Sequence, residues 1–227
     1  MKNWKRLIAA ALTLCTLGAL ASCGNKGLSE KDAETYVKGH LDAAYLGTYA
    51  QDYIDLVEDM TEAEAKSMHE DNVEIEVEQY LLPYLEVEYP TDEITQKAAD
   101  VMEAIYSKAQ YKIGSATKTK DGDFAVEVTV SPIEVLNLLT SDDFFNALEE
   151  SGYYDAETQE ELEAADAVFG MLMLERLEEL LPQLSYGKDQ VIMLQLKQDD
   201  EGYYSLVDTG MQTLDSCILD YSGSYLE

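Results

Sequence analysis

Basic side chains are scarce: 15 Lys and Arg stand against 46 Asp and Glu, for a formal charge of −31. That balance excludes nucleic acid as a partner, because binding phosphates needs a basic footprint. It also repels anionic lipid, so the folded surface alone would not hold the protein to a membrane. Histidine is nearly absent. His40 and His69 lack the H-E-x-x-H spacing of a zinc hydrolase, so each reads as a lone packing or surface residue and no metal is expected. No G-x-S-x-G elbow and no Gly-rich phosphate loop occurs, which removes the usual serine hydrolases and leaves no expected cofactor. The single tryptophan is Trp4 and the cysteines are Cys15, Cys23 and Cys217.

What is present begins with the leader. Lys2, Lys5 and Arg6 precede an apolar stretch from Leu7 to Ala19 that is too short to span a bilayer and reads as a secretory signal. Leu20-Ala21-Ser22-Cys23 resembles a lipobox, in which Cys23 receives a diacylglyceryl group and becomes the new N-terminus. Two acyl chains hold a protein to a bilayer where one gives only reversible binding. Ala19-Leu20-Ala21 also fits an ordinary A-x-A cleavage site, which would free the chain. The expected organisation is a lipoprotein signal peptide over 1–22, a lipidated Cys23 with a short tether over 23–28, and a single α+β domain over 29–227. Loss of the leader takes Trp4 and Cys15 with it, and lipid consumes Cys23. Cys217 then has no disulfide partner, and the domain must stand on its core.

Periodicity predicts the elements. Ser29 and Asp32 suggest a capping box for a first helix running through Gly47 to about Val57, with Tyr45, Tyr49 and Tyr53 along one face. Thr61 to Glu64 opens a second helix toward Tyr89 with a break near Pro83, and Thr91 starts a third that ends near Lys112. Lys112–Lys118 and Phe124–Val130 read as a hairpin burying Phe124, Val126, Val128 and Val130. Ser131-Pro132 predicts a helix to about Leu139, and Ser141 to Glu150 another. Thr158–Leu184 is the longest helix, its stretch Ala167–Leu174 apolar on every side and so expected to be central and buried. Val191–Lys197 and Tyr203–Val207 form a second hairpin, and a helix near 211–219 follows. The fold class is therefore α+β, several helices packed on an antiparallel sheet made from two β-hairpins. The likeness between the hairpins fits either a faint duplication or generic turn chemistry.

Charge is unevenly spread: from Asp121 to Glu175 there are 15 acidic residues and no Lys or Arg. Lys97, Lys108, Lys112, Lys118 and Lys120 cluster just before that stretch. They read as internal ion pairs to the acidic helices, or as a small anion patch. With 46 acids, carboxylate pairs carry no information about a glycosidase-like site. Asp121-Gly122-Asp123 and Asp199-Asp200-Glu201 lack EF-hand spacing. Cys217, beside Leu214 and Ile218, reads as a core thiol. The doublets Tyr153-Tyr154 and Tyr203-Tyr204, like the Tyr45 stripe, read as cover for the core edge, with a ligand groove as the alternative.

The run Thr35-Tyr36-Val37-Lys38-Gly39-His40-Leu41-Asp42-Ala43-Ala44-Tyr45-Leu46-Gly47, with Glu74-Ile75-Glu76-Val77-Glu78 and Val126-Glu127-Val128-Thr129-Val130-Ser131-Pro132-Ile133, resembles a family of lipoproteins of Gram-positive gut bacteria sharing a domain of unknown function. The resemblance spans most of residues 29 to 210. It implies attachment to the outer face of the cell membrane through Cys23, and no established activity. A looser similarity is to the cystatin-like and nuclear-transport-factor-like α+β folds, whose sheets often hold a pocket, although fold does not license function. The expected function is a membrane-anchored extracytoplasmic lipoprotein acting as a non-enzymatic ligand- or partner-binding domain. The alternatives are a hydrolase using paired carboxylates and a surface protein that responds to divalent cations. The partners expected are the membrane, through the anchor, and an unidentified protein or small molecule.

Overall fold

The computed structural model describes residues 27–57, 60–200 and 202–223. The leader and Cys23 lie outside these, as does Glu201. Contacts divide the chain into two units: Met1–Asn72 with Gln110–Ser131 and Asp189–Cys217, and Val73–Ala109 with Pro132–Lys188 and Ile218–Glu227.

The first unit is built on the sheet. Strands β1 (Gln110–Lys118), β2 (Phe124–Ser131), β3 (Gln190–Gln198) and β4 (Tyr204–Leu206) run antiparallel in the order β1-β2-β3-β4. The two predicted hairpins thus join through β2 and β3, with Val128 opposite Ile192 and Val126 opposite Leu194. The period-2 alternation puts Phe124, Val126, Val128, Val130, Leu194 and Leu196 on one buried face. Helix α1 (Glu30–Leu46) packs against β1 and β2 and adds buried Ala33, Val37 and Leu41. Burying Val37 or Leu41 contributes about 1.5–3 kcal/mol before chain entropy is set against it, and Ala33 less. The capping box of Ser29 and Asp32 is formed as predicted.

Helix α1 stops at Leu46, however. Gly47 adopts φ 59°, a conformation that side-chain-bearing residues resist, and Thr48 N–H returns to the Asp42 carbonyl. The chain then restarts as α2 (Gln51–Leu56), so Tyr45, Tyr49 and Tyr53 share no helix. Thr61 and Glu64 exchange the expected capping bonds at the start of α3 (Glu62–Glu76). α8 (Asp208–Ile218) follows β4.

The second unit is mainly helical. After α3 comes one π turn, Val77–Leu81, in which Leu82 N–H reaches the Val77 carbonyl, and then α4 (Leu82–Tyr84). The predicted break therefore comes as a widened turn just ahead of Pro83, whose ring crowds the preceding carbonyls. α5 (Asp92–Tyr106) packs on α7 (Gln159–Leu180) through Val101, Met102, Ile105, Phe169, Met173 and Leu174. α5 ends six residues earlier than expected, since Gln110 already belongs to β1. α6 (Ser141–Glu150) sets Phe144 edge-on against Phe169, ring centroids 5.4 Å apart.

Two further expectations are corrected. Ser131-Pro132 opens no helix: the Ile133 N–H donates to Ile218 and its carbonyl accepts from Asp220, so tertiary pairing consumes the groups a helix would use. A single helical turn, Val135–Leu138, remains. Nor is α7 buried on every side across Ala167–Leu174. Val168 is 47% exposed and Met171 and Leu172 are half-buried, so the helix offers its neighbours one face.

Candidate functional site

The residues singled out from sequence do not converge. His40 is 8% exposed on α1, its ring 5.9 Å from that of Tyr36. Its Nδ1 has no hydrogen-bond partner among the described residues, and burial lowers its pKa to about 4, so the ring is a neutral packing group near pH 7. His69 sits elsewhere in the first unit, Nδ1 at 2.9 Å from the Ala44 carbonyl. Cys217 is half-buried rather than core, with Sγ 3.5 Å from the Gln190 side-chain oxygen. The acidic turns are occupied by backbone donors: Asp123 accepts from the Gln198 N–H at the end of β3, tying the two hairpin turns together, and Asp199 accepts from the Tyr203 N–H within its own turn. Among the described residues no group of three metal-ligating side chains occurs. Ion pairing accounts for Lys97, which meets Glu178, whereas Lys118 lies over the Phe124 ring at 5.2 Å. Lys108, Lys112 and Lys120 have no ion pair among the described residues.

The structure does select particular carboxylates from the many. In the first unit Asp42 accepts from the Tyr111 hydroxyl at 2.8 Å and pairs with Lys38, while Asp215 on α8 accepts from the Tyr45 hydroxyl. The Tyr45 and Tyr111 rings lie 6.4 Å apart, so the two acids belong to one network joining α1, β1 and α8. Loss of hydration pushes the Asp215 carboxyl up to about 6 against the opposing pull of the Tyr45 bond. Asp215 as a residue keeps substantial solvent contact, and that retained water argues for a smaller rise than the protein packed around the carboxyl would impose. Burial, the Asp42 bond and the Asp42 charge all raise the Tyr111 pKa. In the second unit Asp166 is 1% exposed and accepts the backbone N–H groups of Glu88 and Tyr89, at 3.1 and 2.7 Å. It pins the turn in which Glu86 takes φ 60°. One signal in the sequence could have found it: Asp166 is the lone polar residue in the otherwise apolar run Ala164–Leu174.

A concavity in the first unit lies elsewhere. A groove of about 420 Å³ runs between β3 and α8, lined by Val191, Met193, Gln195, Val207, Thr209 and Thr213, with Ile192 and Gly210. No charged residue lines it, in a chain that is 27% charged. Val191 and Met193 are 62% and 51% exposed, because strand alternation turns them to the face of the sheet opposite buried Ile192, Leu194 and Leu196. Gly210 lets α8 close on the strand: a Cβ there would lie 3.2 Å from Leu194 Cδ2. An apolar floor with threonine hydroxyls and one carboxamide suits binding by contact and lacks a proton donor or nucleophile activated by a base.

No family model matches the chain, and no curated protein sequence matches it. Among solved structures, that of ycdA, a candidate lipoprotein of Bacillus subtilis subsp. subtilis strain 168, is similar at a TM-score of 0.54 and 19% identity. The match covers 83% of this chain and 56% of ycdA, so the chain spans little more than half the length of that neighbour. At that identity the likeness shows the fold alone. Among the described residues no helix is long and apolar enough to cross a membrane.

Proposed function

We propose that the protein is a lipid-anchored, extracytoplasmic binding protein, held at the cell membrane through Cys23 and acting without catalysis. The carrying observation is the ordered series of basic residues, apolar stretch and Leu20-Ala21-Ser22-Cys23. The likeness in fold to ycdA, described as a candidate lipoprotein, supports it. The uncharged groove of Val191, Met193, Thr209 and Thr213 supports binding of an uncharged or apolar moiety, since a charged ligand would lose hydration there without a counter-charge. The test is expression in a Gram-positive host fed an alkyne fatty acid. Cys23 chains carry the label and fractionate with membranes, and Cys23→Ser chains carry none; an unlabelled wild-type chain in the medium would overturn the reading.

One observation favours the hydrolase alternative: Asp42 and Asp215 occupy one network, and burial raises the Asp215 pKa in the direction a general acid needs. Against it, both carboxylates already accept tyrosine hydroxyls and neither lines the groove. Turnover of a glycoside, ester or peptide that Asp215→Asn abolishes would establish the alternative and end the binding-only reading.

A further inference from the structure

We propose that the hairpin-turn end of the sheet in the first unit faces the phospholipid headgroups, so that the β3–α8 groove runs up from the bilayer along β3 with its Val191 end outermost. The inference rests on the lipid anchor at Cys23 and adds an orientation to it. Leu28 is buried, which fixes the far end of the tether. Five peptide steps separate it from Cys23, a reach of at most about 18 Å.

Side chains of α1 tie its start to one end of the sheet. Glu30 accepts from the Lys118 N–H at 3.2 Å and Glu34 from the Ala116 N–H at 3.0 Å, so the first two turns of α1 cover the outer edge of β1 where that strand ends. Both hairpin turns lie at this same end. The Gln198 N–H donates to Asp123 at 3.0 Å, and the Tyr204 hydroxyl donates to the Gly122 carbonyl at 3.2 Å. From Phe124 at this end to Ser131 at the other, β2 rises about 24 Å. That exceeds the tether, so the Ser131 end cannot be turned down onto the bilayer. Lys31, Lys118, Lys120 and Lys197 stand at the tethered end beside Asp121, Asp123, Asp199 and Asp200. With Glu30, Asp32 and Glu34 also at the start of α1, acids outnumber these lysines, so the orientation follows from the length of the tether and not from attraction to lipid phosphate. The groove runs along β3 from Gln195, which pairs with Ala125 beside the turns, to Val191, which pairs with Thr129 about 14 Å further along the sheet.

The orientation is tested on the mature chain starting at Cys23, with Cys217→Ser so that Cys23 is the one thiol. Coupling that thiol to a maleimide phospholipid in phosphatidylcholine/phosphatidylglycerol vesicles makes the test independent of whether cells lipidate it. Lysines are then acetylated with a membrane-impermeant reagent and compared with the same chain mixed with vesicles but uncoupled. Coupling slows acetylation of Lys31 and Lys120 several-fold and leaves Lys112, further along β1, unchanged. Equal slowing at all three, or greater slowing at Lys112, overturns the orientation. A missing lipid on Cys23 in cells overturns the anchor instead, so the two failures are distinct.

Discussion

Replacing His40 by leucine removes the one buried titratable ring of α1 whose Nδ1 finds no hydrogen-bond partner among the described residues. Burial holds its folded pKa at about 4, against 6.5 for a hydrated imidazole. The unfolded chain therefore binds a proton more readily across that window, and stability is lost as pH falls from 6.5 through 4. Near pH 7.5 both states are neutral at this position and no linkage term exists. Near pH 4.5 the wild type has lost about 2.5 kcal/mol through His40, out of a full loss of about 3.4 kcal/mol below both pKa values. His40→Leu keeps an apolar side chain in the same space and has nothing to protonate. Urea unfolding followed by far-ultraviolet circular dichroism, at both pH values, gives the double difference in which every other titrating group cancels. The variant should lie within about 1 kcal/mol of wild type at the higher pH and be about 2.5 kcal/mol more stable relative to it at the lower. Parallel pH profiles for the two chains would refute the burial of a neutral, unpaired ring.

Asp166→Ala leaves the Glu88 and Tyr89 N–H groups without their buried acceptor and should cost about 3 kcal/mol in urea unfolding, with Asp166→Asn costing less because one acceptor oxygen remains. Gly39→Ala places a methyl group into the Tyr53 ring, and a loss of about 1–3 kcal/mol is expected from the forced shift of α2. Asp215 has the opposite linkage sign to His40. Its folded pKa is raised above the unfolded value, so it contributes stability that is present below about pH 4 and is lost as pH rises from 4 toward 6. Asp215→Asn should flatten that part of the profile, and an unchanged slope would place the carboxyl in ordinary solvent.

The parts of the fold legible in the sequence were those fixed by local chemistry. Capping boxes at Ser29 and Thr61 and the alternation from Phe124 to Val130 report on hydrogen bonds and burial a few residues apart. The failures came where distant partners decided. Ser131-Pro132 carries a sound helix start, yet Ile218 and Asp220 claim the Ile133 backbone. Gly47 ended α1 by a left-handed turn that apolar spacing beyond it had masked. The groove was illegible for the same reason, since Val191 and Thr213 are far apart in sequence and nothing in either segment announces the other. Asp42 and Asp215 were lost among 46 acids because charge counting is blind to which carboxylates meet a tyrosine hydroxyl.

The mass of the intact mature chain tests the account's central claim most directly. Protein extracted from membranes of a Gram-positive host should begin at Cys23 and carry the added mass of a diacylglyceryl group on that residue. A chain beginning at Ser22 with an unmodified Cys23 thiol, recovered from the medium, would show cleavage after Ala21 and contradict the anchor and everything built on it.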